Sequence, residues 1–197
     1  MTAVTVARTG IANLASVLAA LGRAGATVTV SDDPDAVRAA DRVLLPGVGA
    51  FGAGAARLRE TGLGDALVER VNNGRPTMGI CLGMQLFFDA SAETPGVAGL
   101  GVLPGEIQRF AGPGLRVPQL GWNRVTPDAD CRLLTEGNVY FANSYRAVAA
   151  PGWAVATANH GGPFVAGCER GPVLLCQFHP ELSGAFGAAL LGRWLVC

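Results

Sequence analysis

The sequence contains no lysine. All 15 basic side chains are arginine, balanced by 15 Asp and Glu, so the formal net charge at pH 7 is zero. The arginines are scattered singly, which excludes the basic stripe or tail that nucleic acid or an anionic membrane surface would need. Arginine in every basic position reads as a coding bias. Only two histidines occur, and no His/Cys/Asp cluster has ligand spacing, so no metal is expected. No apolar run approaches the roughly 18 residues of a membrane-spanning helix. The five cysteines form neither pairs nor a C-x-x-C motif, and no signal-peptide pattern opens the chain; a reducing cytoplasm is the expected setting. What is present is apolar bulk. Half of the 197 residues are hydrophobic, enough for one domain over 1–197 with a core that needs no disulfides.

Strand-like and helix-like runs alternate. Val4–Ala7 precedes a helix in which Asn13 is placed to cap and Leu14, Val17, Leu18 and Leu21 share one face. A strand at Thr27–Val30, a short helix started by Ser31-Asp32-Asp33-Pro34, a strand at Arg42–Leu45, a helix over Leu58–Val71 and a strand at Pro76–Ile80 follow. This order predicts an α/β fold, a doubly wound parallel sheet of flavodoxin-like layering with its site at the C-terminal strand ends. Gly96–Val125 reads as short strands and loops, and Ala185–Val196 as a closing helix.

The strand at Pro76–Ile80 ends in Gly79-Ile80-Cys81-Leu82-Gly83 and runs into a helix. Glycines two residues either side of Cys81 permit the tight strand-to-helix turn of a nucleophile elbow. There the Leu82 N–H and the positive end of the helix favour a thiolate and a bound oxyanion. A second apolar run delivers Gln177-Phe178-His179-Pro180-Glu181. In an extended segment His179 and Glu181 face the same way, so the carboxylate would hold one imidazole nitrogen and leave the other to take a proton from Cys81. A third run breaks into Pro46-Gly47-Val48-Gly49, whose Val48-Gly49 peptide N–H groups suit an oxyanion hole together with Leu82. That loop lacks the Lys and Ser/Thr of a phosphate-binding loop. His160 sits in a turn and receives no role.

These three elements, in this order, resemble the class I (triad) glutamine amidotransferases. The flanking runs Leu120-Gly121-Trp122-Asn123, Tyr140-Phe141-Ala142-Asn143-Ser144-Tyr145 and His179-Pro180-Glu181-Leu182-Ser183-Gly184 narrow the similarity to glutaminase subunits of imidazole glycerol phosphate synthases. The resemblance implies glutamine hydrolysis through a γ-glutamyl thioester on Cys81. It also implies glutamine binding by Gly49, Gln85, Ser144 and Tyr145, although Gln85 reads equally as a polar helix residue under the loop. No cofactor is implied. Ammonia would pass to a (β/α)8-barrel synthase/cyclase subunit in a heterodimer, with Asn13, Trp122, Tyr140 and Leu182 as interface candidates.

The chain departs from that family at Arg8, Gln119, Asn143 and Leu182, where relatives carry an acid, a histidine, a histidine and a cation. None of these is a proposed triad member; the departures bear on the partner face. Three alternatives stay open: the glutaminase of another class I amidotransferase, a stand-alone cysteine hydrolase, and an interaction subunit whose chemistry has lapsed.

Overall fold

Three five- or four-residue runs, Val43–Gly47, Thr77–Cys81 and Val173–Cys176, are buried at every position. Continuous apolar runs of this kind mark strands covered on both faces. The computed structural model describes residues 2–10 and 14–197. In chain order it contains β1 (Thr2–Ala7), α1 (Leu14–Arg23), β2 (Ala26–Ser31), α2 (Pro34–Ala39), β3 (Val43–Gly47), α3 (Phe51–Thr61), α4 (Leu63–Asn72), β4 (Thr77–Cys81) and α5 (Leu82–Gln85). Then follow β5 (Phe88–Ser91), β6 (Leu103–Arg109), β7 (Gln119–Pro127), β8 (Gly137–Asn143), β9 (Tyr145–Arg146), β10 (Ala154–Asn159), β11 (Pro163–Arg170), β12 (Val173–Cys176) and α6 (Gly184–Val196).

Nine strands form one sheet in the order β2-β1-β3-β4-β12-β11-β10-β7-β8, beside a three-stranded sheet β5-β6-β9. From β2 to β12 every pairing is parallel, and from β12 outward every pairing is antiparallel. The doubly wound parallel sheet expected from sequence is therefore one half of a mixed sheet. The extension is antiparallel because β10, β11 and β12 are joined by tight glycine turns, too short for the crossover that parallel pairing requires. Side-chain alternation splits the core into two layers. Leu44, Met78 and Leu174 pack towards α1 and α6, whereas Leu45, Val173 and Leu175 pack towards α3 and α4.

The helix expected over Leu58–Val71 is two helices. The first starts at Phe51, directly after the glycine loop, and stops at Gly62, whose φ of 71° is left-handed and suits glycine. Pro34 opens α2 as expected, capped by the Asp33 side chain, which accepts from the Asp35 N–H at 2.9 Å. The expected cap at Asn13 lies outside the described residues.

Arg70 is buried, with 1% exposure. It forms no ion pair among the described residues; its guanidinium instead donates to the carbonyls of Val37, Arg38, Ala40, Asp41 and Pro76. Burial lowers its pKa to about 10, with Arg75 adding to the shift. The fork ties the end of α2 to the start of β4, filling acceptors that would be costly to leave unpaired.

Candidate active site

The sheet order explains how motifs almost a hundred residues apart meet. Strand β4 lies between β3 and β12, with Gly47 in register with Cys81 and Cys176 in register with Ile80. The ends of these three neighbouring strands carry the glycine loop, the cysteine and the histidine segment. Together they line one cavity of about 450 Å³, bordered by Val48, Gly49, Cys81, Leu82, Gln85, Glu93, Tyr140, Asn143, Ser144, Tyr145, His179, Glu181 and Leu182.

Cys81 has φ 55° and ψ −113°. It is the only non-glycine residue with positive φ among the described residues. A non-glycine backbone held there stores roughly 1–3 kcal/mol, tolerated only where the surroundings fix it. The fixing comes from close packing. A Cβ on Gly83 would lie 2.1 Å from the Leu45 carbonyl oxygen, and one on Gly79 would lie 2.8 Å from Leu175 and 3.0 Å from the Gly83 oxygen. Gly83 is thus required by backbone contact, and Gly79 is packed tightly against the same turn. Across the cavity Gly49 has φ 97°, and Val48 is 40% exposed on the same loop.

His179 and Glu181 are together, though not for the reason expected. Strand β12 stops at Cys176, and Pro180–Leu182 forms a single 3-10 turn with proline at its start. The turn, rather than an extended i, i+2 pair, brings His179 Nδ1 to 2.8 Å from Glu181 Oε1. The turn is pinned to β8: His179 N–H donates to the Tyr140 carbonyl at 2.9 Å, and the Ser183 hydroxyl donates to the His179 carbonyl at 2.6 Å. The same hydroxyl accepts from the Tyr140 N–H at 3.0 Å. Glu181 Oε2 is buried without a partner among the described residues, so His179 is its one polar neighbour at hydrogen-bond distance.

Burial alone would lower the His179 pKa, but hydrogen bonds and charge from Cys81 and Glu181 outweigh it and push the imidazole up to about 10. The folded state thus holds a proton that the unfolded chain releases near pH 6.5. Stability from this pair is full below that value and is lost as pH rises towards 10. The urea midpoint is accordingly expected to fall already between about pH 6.5 and 7.5, and to fall less steeply in Glu181→Gln. The slope is read between about pH 6.5 and 7.5, because the buried thiols, with Cys131 raised to about 11 and Cys168 and Cys176 further, add their own loss of stability as pH nears about 8.5. Equal slopes in the two proteins would remove Glu181 as a cause of the raised imidazole.

A family model for class-I glutamine amidotransferases matches residues 9–196. The chain belongs to the glutamine amidotransferase class-I family. This amidotransferase is 44% identical over 191 residues to the imidazole glycerol phosphate synthase subunit HisH of Cutibacterium acnes, covering 94% of this chain and 92% of that one. It is 42% identical over 196 residues to the HisH subunit of Escherichia coli (strain K12), covering 98% of each. It is also 42% identical to the chloroplastic imidazole glycerol phosphate synthase hisHF of Arabidopsis thaliana, where 98% of this chain spans 34% of that protein's length. A solved glutamine amidotransferase superposes with a TM-score of 0.76 at 22% identity, covering 98% of this chain and 96% of that one. PurLQS from Thermotoga maritima gives 0.75 at 18% identity, covering 100% of this chain and 98% of that one. At these identities the superpositions establish the fold.

In the amidotransferase, all described site residues expected from sequence except Trp122 border the cavity; Asn13 lies outside the described residues. Trp122 stands outside the mouth, 60% exposed, edge-on to Tyr140 at 6.1 Å between ring centroids. Leu120 and Leu182, at 67% and 45% exposure, extend that apolar patch. Three residues without an assigned role also belong to the site. Glu93 lines the cavity and accepts from the Phe51 N–H at 2.6 Å, Ser183 locks the histidine turn, and Gln177 is fully buried beside Cys81. A glutamine inside the apolar run Val173–Phe178 was the available signal, because a buried amide requires partners. Among the described residues, no group of three His, Cys, Asp or Glu side chains is arranged to hold a metal ion. No helix among them is long and apolar enough to cross a membrane.

Proposed function

We propose that this chain, a single amidotransferase domain over 1–197, hydrolyses L-glutamine to glutamate and ammonia with Cys81, His179 and Glu181. One observation carries the reading: a strained cysteine at a strand end and a carboxylate-bound histidine border the same cavity. With Nδ1 held by Glu181, the other imidazole nitrogen is free to exchange a proton with the sulfur and then with the leaving amine. Attack by the Cys81 thiolate on the side-chain amide carbon gives a tetrahedral oxyanion, for which the N–H groups of Leu82 and of the Val48-Gly49 peptide are the donors. Protonated by His179, ammonia leaves, and a γ-glutamyl thioester remains. Water, losing a proton to His179, then adds to the thioester carbon and releases glutamate and the thiolate.

Gly49, Gln85, Ser144 and Tyr145 hold the glutamine. Gln85 does so with its oxygen, because its amide nitrogen is committed to the Tyr145 carbonyl at 3.1 Å and to Gln177 Oε1 at 2.8 Å. Glu93, with one oxygen on the Phe51 N–H, offers the other to an ammonium group.

The ammonia serves a (β/α)8-barrel synthase/cyclase subunit that makes imidazole glycerol phosphate and aminoimidazole carboxamide ribotide in histidine biosynthesis, as a heterodimer in the cytoplasm. The names of the HisH relatives support this, as does the apolar patch of Leu120, Trp122, Tyr140 and Leu182 beside the cavity mouth. The family departures leave the triad intact. Arg8 pairs with Asp32 at 2.9 Å, and Asn143 donates to the Tyr145 carbonyl at 2.9 Å.

The deciding experiment measures glutamate release by the chain alone, with the barrel subunit, and with that subunit plus its nucleotide substrate, across a salt series. Activation on docking is expected, since the exposed Val48-Gly49 loop has to commit its N–H groups to the oxyanion. A thousandfold rise needs about 4 kcal/mol of differential stabilisation between two loop states. Because Leu182 contributes packing in place of an ion pair, salt should weaken docking little. Full activity in the isolated chain, unchanged by either addition, would favour a stand-alone hydrolase.

A further inference from the structure

Gln177 is 0% exposed, in a position flanked by Cys176 and Phe178, which are equally buried. Its amide is spanned by two side chains: Gln85 Nε2 donates to Gln177 Oε1 at 2.8 Å, and Gln177 Nε2 lies 3.7 Å from Cys81 Sγ. The two ends of an amide are distinguished by their partners. Here the partners leave one solution. The Tyr145 carbonyl can only accept, and it receives Gln85 Nε2 at 3.1 Å and Asn143 Nδ2 at 2.9 Å. Turning Gln85 over would set its oxygen against that carbonyl. With Gln85 so fixed, an N–H points at Gln177, and turning Gln177 over would oppose two amino groups. A backbone carbonyl on one side of the cavity therefore determines that an N–H faces the sulfur on the other.

We propose that Gln177 is a positioning residue that holds the Cys81 sulfur through an N–H···S hydrogen bond, its direction set through Gln85 by the Tyr145 carbonyl. This rests on the reading of Cys81 as the nucleophile. Such a contact matters at Cys81 because its backbone is already strained and its side chain borders the cavity, so neighbouring groups have to hold the sulfur in place. The bond is charge-assisted when the sulfur is a thiolate and weak when it is a thiol. It thus favours the reactive form and holds it on the line of attack. His179 follows two residues later in the same segment after β12, so one strand end supplies both contacts with the sulfur.

The test uses the full chain with Gln177→Met, which keeps the volume and removes the donor, and Gln177→Glu, which keeps the acceptor for Gln85 and presents oxygen to the sulfur. Alkylation by iodoacetamide is followed against pH on the Cys81 peptide by mass spectrometry, which separates it from the exposed Cys197. The midpoint is expected to rise by about one pH unit in Gln177→Met, and rates below it to fall roughly tenfold. In Gln177→Glu the rise should be larger, because a carboxylate then faces the thiolate. A residue that merely fills space would leave the midpoint in place in Gln177→Met, and a rise confined to Gln177→Glu would report only the introduced charge. In the unsubstituted protein, the Gln177 side-chain amide proton resonances should move as Cys81 titrates, and this movement should vanish in Cys81→Ala. An unmoved midpoint in folded Gln177→Met overturns the proposal. So does an amide resonance that ignores Cys81, which decides the matter even where a variant does not fold. Glutamate release that survives Cys81→Ala would instead overturn the nucleophile assignment, whatever Gln177 does.

Discussion

Cys81→Ala is expected to lower glutamine-dependent glutamate release by at least about 10⁴-fold, the scale on which removal of a nucleophile acts in a triad enzyme. The fold should survive. The side chain is 8% exposed and small, the elbow is held by its glycines, and alanine leaves only the volume of a sulfur atom. Paired with the barrel subunit, the variant should still support synthesis from added ammonium salts at close to the unsubstituted rate, because the second reaction never touches Cys81. The two rates measured on one preparation separate loss of chemistry from loss of structure. Glutamate release near the unsubstituted rate would remove Cys81 from the mechanism, and loss of the ammonium-dependent reaction would point to a failed complex.

The second large effect concerns the histidine segment. His179→Ala should cost nearly as much as losing the thiol, since groups that act as a unit are not additive. Glu181→Gln should cost about two orders of magnitude less. Its amide oxygen can still accept from Nδ1 and keep the ring oriented, but it no longer balances the imidazolium whose pKa Cys81 and Glu181 together hold near 10. The double variant should be no slower than His179→Ala alone. Single-turnover release of glutamate in all three proteins is the measurement, with a thermal melt of each. A Glu181→Gln loss exceeding that of His179→Ala would reverse the two roles.

Much of this was legible in the chain because the chemistry is local. A cysteine between two glycines at a strand end specifies its own turn, since only glycine permits the approach of Gly83 to the Leu45 carbonyl. The fully apolar runs at β3, β4 and β12 announced strands covered on both faces. The helix pattern was read less well around Gly62. Periodicity continues through that residue from Leu58 to Val71, and the break depends on one backbone angle. The antiparallel half of the sheet was harder still, because β7, β8 and β10 are only partly buried and the pairing of β7 with β10 is non-local.

By itself, then, the sequence marked the proposed nucleophile, the proposed base with its carboxylate and the glycine loop, each within one short run, together with the parallel half of the fold. Tertiary structure alone decided three things. It placed β4 between β3 and β12, which turns three separated motifs into one cavity. It brought His179 to Glu181 through a turn pinned to β8 by Ser183, where an extended pair was expected. And it aimed the Gln177 amide at Cys81, because the direction of that bond is fixed by a carbonyl at Tyr145, on another strand and 32 residues away in the chain. Orientation of a buried amide is a property of the partners that surround it, and no spacing rule within the strand that carries it can supply that information.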